Sequence, residues 1–389
     1  MDKMAREIQI THVETYRVPP RWLFLKLETK CGLVGWGEPV IEGKAATVEA
    51  CIRELEPYLL GRSASDIEDI WQILYRGGFY RGGPILMSAL AGIDQALWDI
   101  KGQYLNVPVY ELLGGAVRDK MKMYCWIGGD HPEVIIDQAR QKMEMGFRAV
   151  KMNATGPMHW VESLNEINKV SRNIRILREE FGEDLDVGLD FHGRVHKGMV
   201  KRLIDELAPY QPMFIEEPVL SENFEALDHI YPYTSIPIAT GERMYSRWDF
   251  KELLHRGTVD IIQPDVSHAG GISETRRIAA MAEAYDVALA PHCPLGPIAL
   301  AACLHIDFAS INAFIQESSI GIHYNQGFDL LDYLKNPEIF DLRDGYIQKP
   351  SLPGLGVQID EDVLKEGLKI GHNWSNPIWR NVDGSFSEW

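Results

Sequence analysis

The sequence contains little cysteine, and its five cysteines follow no pattern. Cys31, Cys51, Cys125, Cys293 and Cys303 are odd in number and widely spaced, and none forms a CxxC motif. A disulfide framework or a structural zinc site requires paired, regularly spaced cysteines. We therefore predict reduced thiols in the core, as is typical of a cytoplasmic protein.

Positive charge is also scarce. The 389 residues include 39 Lys and Arg against 56 Asp and Glu, which gives a formal net charge of −17. This sign disfavours binding to a nucleic-acid backbone or to an anionic membrane surface. An anionic substrate would be repelled at long range, so a local positive centre such as a metal ion must capture it.

Long uninterrupted apolar runs are absent as well. The apolar stretch from Val287 to Ala309 is broken by His, Pro and Asp residues, which disfavours a bilayer-spanning helix. We therefore expect a cytoplasmic enzyme that spans no membrane.

The first third of the chain has the pattern of an α+β domain. β-rich runs with intervening glycines extend from Ile8 to Val40 and predict an antiparallel sheet. Helical periodicity then predicts helices over residues 45–60, 67–76 and 85–102. We predict a capping domain over residues 1–118.

The pattern changes after Gly115 to short apolar runs separated by amphipathic stretches. Such alternation is typical of parallel βα units. The fold class predicted is α/β, a modified TIM-like (β/α) barrel over residues 119–318, with residues 319–389 packing back on the capping domain. The eight predicted strands are 121–127, 147–153, 185–191, 213–217, 236–240, 260–265, 287–292 and 313–317.

Three acids lie at the ends of successive predicted strands. Asp190, Glu216 and Glu242 are each 26 residues apart, one βα unit per acid. Strand ends meet at one rim of a barrel, so these carboxylates form an oxygen-rich cage suited to Mg²⁺. For a single acid, a helix cap or an ion pair with Arg194 or Arg243 would be the better interpretation, but three at equal spacing favour a metal site.

Histidines lie at the same rim. His192 is two residues after Asp190, so in an extended segment both side chains would point to one side. His292 and Asp265 end neighbouring predicted strands, and a carboxylate beside an imidazole fixes its tautomer and raises its basicity. His292 is therefore a candidate base and His192 a candidate acid. Glu317 ends the eighth strand, where a salt bridge or a helix cap is the alternative to a catalytic role.

Two polar residues end the second predicted strand. Lys151 and Asn153 are two apart, and both are predicted to face the barrel mouth. Lys151 could hold a substrate carboxylate, or it could form an ion pair with Asp190 or another nearby acid. His268, in a glycine-rich loop, is interpreted as a loop-packing residue.

These motifs are similar to those of a known family. The sequence resembles the mandelate-racemase-like branch of the enolase superfamily over nearly its whole length. The matching segments are KMN at 151–153, GLDFHGRV at 188–195, FIEEP at 214–218, GERM at 241–244, QPDVSHAGG at 263–271 and APHCPLGPIALAACLHIDF at 290–308.

The resemblance implies Mg²⁺-dependent removal of a proton alpha to a sugar-acid carboxylate, followed by loss of a hydroxyl. D-galactonate is the substrate it implies, and gluconate, arabinonate and mannonate remain open. Racemases of this branch carry Lys-x-Lys where this chain has Lys151 and Asn153, which weakens a racemase interpretation. The implied roles are metal ligation by Asp190, Glu216 and Glu242, base for His292 with Asp265, acid for His192, and stabilisation of the enolic intermediate for Glu317.

Two other classes of protein fit the sequence less well. Binuclear metallohydrolases share the barrel but need His-x-His on the first strand, which here reads YCWIGGD. A sugar-binding barrel without catalysis gives no reason for the acids and histidines to share one rim. The expected partner is a small sugar acid, and we expect no nucleic-acid or membrane partner. We expect the protein to form a homo-oligomer. We expect loops near Trp22 and residues 81–84 to recognise its stereochemistry.

Overall fold

The computed structural model describes residues 3–128, 135–372 and 374–389. Its N-terminal part begins with an antiparallel three-stranded sheet in the order β1 (Ile10–Val18), β2 (Trp22–Thr29) and β3 (Val34–Gly37). Glycine lets β3 lie directly on a long helix, because a Cβ on Gly37 would collide with the backbone of Gly92.

Five helices accompany this sheet. The helix predicted at 67–76 has these bounds in the structure, whereas the one predicted at 85–102 begins and ends outside them. Proline at the first position of that helix explains its earlier start, because proline lacks only an N–H that would be unpaired there. The helices are α1 (Lys3–Glu7), α2 (Ala45–Leu55), α3 (Ile67–Arg76), α4 (Pro84–Leu105) and α5 (Val109–Leu112).

Eight parallel strands form the barrel. Each pairs with the next along the chain, β11 pairs with β4, and a bridge between Leu289 and Ala313 joins the last two strand segments. The barrel is thus closed, as the sequence predicted. Its strands are β4 (Lys120–Trp126), β5 (Ala149–Asn153), β6 (Asp186–Asp190), β7 (Ile215–Glu216), β8 (Ile238–Thr240), β9 (Ile261–Ile262), β10 (Ala288–Leu289) and β11 (Gln316–Ser318).

Helices cover the outside of the barrel. One α-helix lies between each pair of successive strands, and the chain after β11 continues into irregular structure, which makes this a modified barrel. The helices are α6 (Ile135–Glu144), α7 (Leu164–Phe181), α8 (Lys197–Leu207), α9 (Leu227–Ile230), α10 (Arg247–Arg256), α11 (Gly271–Ala284) and α12 (Pro297–Ala309).

The remaining chain returns to the N-terminal sheet. The helix signal near 328–335 corresponds to a single 3₁₀ turn, Leu330–Tyr333, and the Tyr333 hydroxyl donates to the carbonyl of Pro19 at 2.7 Å. Trp22 is fully buried against this ring, so its own side chain does not reach the barrel mouth. The tail contains β12 (Leu342–Arg343), β13 (Tyr346–Gln348), α13 (Glu361–Ile370), β14 (Trp379–Arg380) and β15 (Phe386–Ser387).

Short 3₁₀ turns complete the list of elements. They are Glu56–Tyr58, Ala208–Tyr210, Ser221–Ala226, Tyr231–Tyr233, Leu330–Tyr333 and Pro337–Phe340. Four of the five cysteines are buried, but Cys31 is exposed at the turn after β2, so its predicted core position is wrong. Within the described residues, no helix combines the length and apolarity needed to cross a bilayer.

Candidate active site

The three acids singled out by their spacing converge at the carboxyl end of the barrel. Asp190 pairs in register with Glu216 on the next strand, and Glu242 follows β8 by two residues. One carboxylate oxygen from each of the three lies within 4.8 Å of the others. Asp190 and Glu216 are buried, and about a tenth of the Glu242 side chain is exposed.

This cluster fits a divalent cation. Asp190 Oδ2 and Glu216 Oε2 are buried without a hydrogen-bond partner among the described residues. Burial and the neighbouring Glu216 raise the pKa of Asp190 well above its usual range, and burial raises the pKa of Glu216 to about 7. Hard oxygen donors with unused lone pairs and mutual repulsion are what Mg²⁺ or a similar ion would bind.

Lys151 lies beneath the acids. Its Nζ is 2.7 Å from Glu216 Oε1 and 2.9 Å from Glu317 Oε1, and all three side chains are fully buried. The ammonium also lies 4.9 Å from the centre of the Trp126 ring. The ion pair left open by the sequence is therefore present, with Glu216 and Glu317 as its partners in place of Asp190.

Glu317 is held on both carboxylate oxygens. Oε1 accepts from the Trp126 indole N–H at 2.8 Å, and Oε2 accepts from the backbone N–H of Cys293 at 2.8 Å. These contacts join β11 to the loop that follows β10, beside His292. Glu317 is thus fixed where it pairs with Lys151.

His292 lies between two carboxylates. Its Nδ1 is 2.8 Å from Asp265 Oδ2, and its Nε2 is 3.2 Å from Glu242 Oε2. Burial alone would lower the pKa of His292, but Glu242 and Asp265 raise it to about 10. Part of this rise comes from Glu242, whose charge a bound cation would offset. The sequence-predicted pair of His292 and Asp265 is thus brought together.

His192 reaches the site through an unusual backbone conformation. Its φ is 55°, in the left-handed region, so the expected extended geometry after Asp190 is wrong. The backbone N–H instead donates to Asp190 Oδ1 at 2.6 Å, and the backbone carbonyl accepts from Arg243 at 2.7 Å. Burial and Arg194 lower the pKa of the imidazole to about 3.

Four of the sequence-predicted residues line a cavity of about 390 Å³, whereas Lys151, Asp190, Glu216, Asp265 and Glu317 are not among its lining residues. Asn153 lines it with a buried Oδ1 that has no hydrogen-bond partner among the described residues. Arg21 and Pro84 also line the cavity, so both loops expected to recognise stereochemistry reach the site. The other sequence-predicted residues that line the cavity are His192, Glu242 and His292, which follow β6, β8 and β10.

Several lining residues were missed by sequence reasoning. They come from the N-terminal sheet, the loop after β9 and the tail, and no periodicity in the sequence links those segments to the barrel rim. His268, interpreted as loop packing, lines the cavity, and its Nδ1 is 3.6 Å from Asp265 Oδ2. The missed residues include Glu42, His268, Tyr324, Asn376 and Trp389.

Family profiles match most of the chain. The profile for the mandelate racemase/muconate lactonizing enzyme N-terminal domain matches residues 6–114, and the enolase C-terminal domain-like profile matches residues 134–363. Curated relatives named D-galactonate dehydratase are 58% identical in Ralstonia pickettii (strain 12J) and 57% identical in Pectobacterium atrosepticum. Each alignment covers 98% of this chain and 100% of the relative.

Solved structures show the same architecture. An enolase from Agrobacterium radiobacter, named as a candidate galactarate dehydratase with bound Na and L-malate, superposes with a TM-score of 0.88 at 31% identity. That match covers 97% of this chain and 99% of the other. A candidate dehydratase from Mesorhizobium loti gives a TM-score of 0.86 at 29% identity, over 92% and 98% of the two chains. The chain belongs to the mandelate racemase/muconate lactonizing enzyme family of the enolase superfamily.

Proposed function

We propose that this protein is a hydro-lyase that converts D-galactonate to 2-keto-3-deoxy-D-galactonate and water, with Mg²⁺ as its metal. The observation that carries the proposal is identity of 56–58% with curated D-galactonate dehydratases over 98% of the chain. The convergence of a His–Asp pair with three buried carboxylates gives this chemistry a physical basis.

Proton abstraction is the task of His292. Asp265 accepts from Nδ1, so the neutral ring carries its proton there and leaves the Nε2 lone pair to take the proton from carbon 2. Ser267 and His268 donate backbone N–H groups to the other Asp265 oxygen, Oδ1, at 2.7 and 3.1 Å. Asp265 is thereby fixed and keeps the imidazole oriented.

The negative charge that then moves onto the substrate carboxylate needs stabilisation. A divalent cation held by Asp190, Glu216 and Glu242 supplies positive charge at that point when it is bound. Lys151, fixed by Glu216 and Glu317, adds a second positive charge. We assign Glu317 its role in stabilising the enolic intermediate through this lysine.

Departure of the 3-hydroxyl requires a proton donor. The electron pair held in the enolic intermediate forms the C2–C3 π bond as the C3–O bond breaks. The departing oxygen takes the ring proton of neutral His192, which leaves an imidazolate beside the Arg194 guanidinium. Because Arg194 occupies Nδ1, the donor atom is Nε2. The resulting enol tautomerises to the 2-keto-3-deoxy acid. Asn153, whose Oδ1 lacks a partner in the described part of the chain, can accept from a substrate hydroxyl.

Three further features belong to the proposal. The chain divides at residues 1–118, 119–318 and 319–389 into a cap, a barrel and a returning segment. The protein acts on a small sugar acid without nucleic acid or membrane partners, in the cytoplasm, and it assembles as a homo-oligomer.

The test is a substrate panel at one Mg²⁺ concentration. Measured kcat/KM should be highest for D-galactonate, because a mismatched hydroxyl leaves a buried polar group unpaired at about 1–3 kcal/mol, or roughly tenfold to a few-hundredfold per hydroxyl. The comparison acids are gluconate, mannonate and arabinonate, and the product is identified by mass and by its keto group.

A chelator arm completes the experiment. Turnover should disappear in EDTA and return with Mg²⁺. Equal or faster turnover of another acid would overturn the choice of substrate, and full turnover by the metal-free enzyme would overturn the role given to the three carboxylates.

A further inference from the structure

The tail of the chain contacts the proposed acid. Trp389 lines the cavity, and its ring meets the His192 ring edge-on, with centroids 5.8 Å apart and planes at 72°. Trp389 also packs on Trp374, at 5.8 Å between centroids. An aromatic ring thus contacts the imidazole of His192, whose own backbone is in the left-handed conformation.

Arg194 holds the same histidine from another side. Its Nη2 is 2.9 Å from His192 Nδ1, and its Nη1 donates to the carbonyl of Thr155 at 3.0 Å. A guanidinium can only donate, so Nδ1 must accept and the ring proton must be on Nε2. Only one tautomer of His192 is compatible with this contact.

The tail also contacts Arg194. Trp379 lies in β14 of the short hairpin formed with β15, and its ring lies 4.5 Å from the guanidinium carbon of Arg194. Such a cation–π contact adds to the two hydrogen bonds that hold the guanidinium in place. The hairpin turn is held by backbone bonds from Asn381 to Ser385 at 2.9 Å and from Gly384 to Asn381 at 2.9 Å.

We propose that the C-terminal hairpin, residues 379–389, is a positioning device for His192 that acts through Trp389 and through Arg194. Trp389 fixes the plane of the His192 ring. Trp379 holds Arg194 in place, and Arg194 in turn fixes the tautomer of His192. The inference rests on the proposed dehydratase function. It assigns no proton transfer to these residues, so each is a positioning residue and His192 remains the only acid.

Disturbing this arrangement should slow one step of the reaction selectively. A misplaced His192 should impair departure of the 3-hydroxyl, while His292 and Asp265, on other strands, keep their geometry. A small displacement of a catalytic group can cost about a hundredfold in rate. Loss of packing in general would instead weaken every step together.

The experiment compares three reactions in the full-length protein with Mg²⁺. They are dehydration of D-galactonate, exchange of its carbon-2 proton with deuterated solvent, and elimination of fluoride from 3-deoxy-3-fluoro-D-galactonate, whose leaving group departs without a proton. The variants are Trp389→Ala, Trp389→Phe, Trp379→Ala and Arg194→Met.

We expect Trp389→Ala and Arg194→Met to lower kcat for dehydration by about a hundredfold while proton exchange and fluoride elimination continue at near wild-type rates. Trp379→Ala should show the same selectivity with a smaller loss. Trp389→Phe keeps an aromatic ring and should restore most of the rate.

A matched control is Trp160→Ala. Trp160 stacks on His196 with centroids 4.0 Å apart, is 74% exposed, and neither residue lines the cavity. It should leave all three reactions unchanged. Equal loss of all three reactions in the tail variants, or full dehydration by Trp389→Ala, would overturn the positioning role. Absence of dehydration and exchange in the wild-type protein would instead overturn the proposed function.

Discussion

At the scale of single residues, the site balances buried charges. Lys151 is the one cation among the described residues within ion-pair distance of Glu216 and Glu317. Burial would lower its pKa, but these two acids raise it well above its usual range. The lysine therefore stays charged and holds together a cluster in which the carboxylates repel one another.

Replacing this lysine tests the balance. Lys151→Met should lower the free energy of unfolding by about 3–5 kcal/mol, because it leaves two buried carboxylates without their counter-charge. Unfolding by urea is measured in EDTA, so that no metal ion takes the place of the lysine.

The control is Lys169→Met. Lys169 pairs with Glu166 at 2.7 Å, but its side chain is 55% exposed. An exposed pair contributes little, so this variant should unfold close to wild type. Equal stability of the two variants would show that the buried pairs of Lys151 do not stabilise the fold.

The sequence could place these residues but not their contacts. Regular spacing was enough to predict that Asp190, Glu216 and Glu242 converge, because one βα unit separates each acid from the next. The sequence could not identify the ion-pair partners of Lys151, because three acids lie within reach of the end of its strand. The φ of 55° at His192 could not be predicted either, because histidine, although enriched in the left-handed region, adopts it in only a minority of cases.

At the scale of elements, helix α12 joins the barrel to the rest of the chain. Glu38, after β3, accepts backbone N–H groups of Gly296 at 2.6 Å and Ala299 at 3.0 Å at the start of this helix. Further along, His305 Nδ1 accepts from the backbone N–H of Tyr110 at 3.1 Å, and Nε2 is 3.1 Å from the Leu355 carbonyl. Both nitrogens are satisfied only when the ring is neutral.

This histidine should make stability depend on pH. Burial lowers the pKa of His305 from 6.5 to about 4. Above pH 6.5 the ring is neutral in both states, and as pH falls from 6.5 towards 4 only the unfolded chain gains the proton. The contribution of about 3 kcal/mol is therefore present at neutral pH and lost over that window.

The variant His305→Gln isolates the effect, because glutamine can accept from Tyr110 and donate to Leu355 without a titrating proton. Urea unfolding of both proteins at pH 7.5, 6 and 5 should show the difference in unfolding free energy shifting by about 2 kcal/mol in favour of the variant by pH 5. His255→Gln, on the exposed face of α10, should follow the wild-type pH dependence. Parallel pH curves for His305→Gln and wild type would contradict the prediction.

Helices and strands were predictable where a single hydrophobic period dominates the sequence. Helix α3 has an amphipathic pattern and was predicted with its observed bounds, whereas β7, β9 and β10 contain only two residues each inside longer predicted runs. Apolar runs continue through buried loops, so apolar character overstates strand length. Hairpin β14–β15 was missed because its strands are too short to show alternation.

At the scale of the whole molecule, a chain with a formal charge of −17 must still attract an anion. The attraction is local, since Arg21 and Arg243 line the cavity together with Glu242 of the acidic cage. These residues come from the N-terminal sheet and from the barrel loop after β8, so the site exists only in the assembled fold. The tail residue Trp389 completes it.

The acidic cage should destabilise the whole protein until a cation binds. Asp190→Asn removes one of three converging charges, so in EDTA this variant should unfold at a higher temperature than wild type. Mg²⁺ at a hundred times its dissociation constant should add about 2.7 kcal/mol to wild type by mass action, and the variant should gain much less. Thermal unfolding of both proteins with EDTA and with Mg²⁺ gives the four values needed.

Asp186→Asn is the control for loss of a carboxylate. Asp186 lies at the opposite end of β6 and pairs with Lys122 at 2.6 Å, so this variant should retain the full Mg²⁺ response. A wild-type protein that Mg²⁺ does not stabilise, or a variant that gains as much, would show that stability and metal binding are not linked through Asp190.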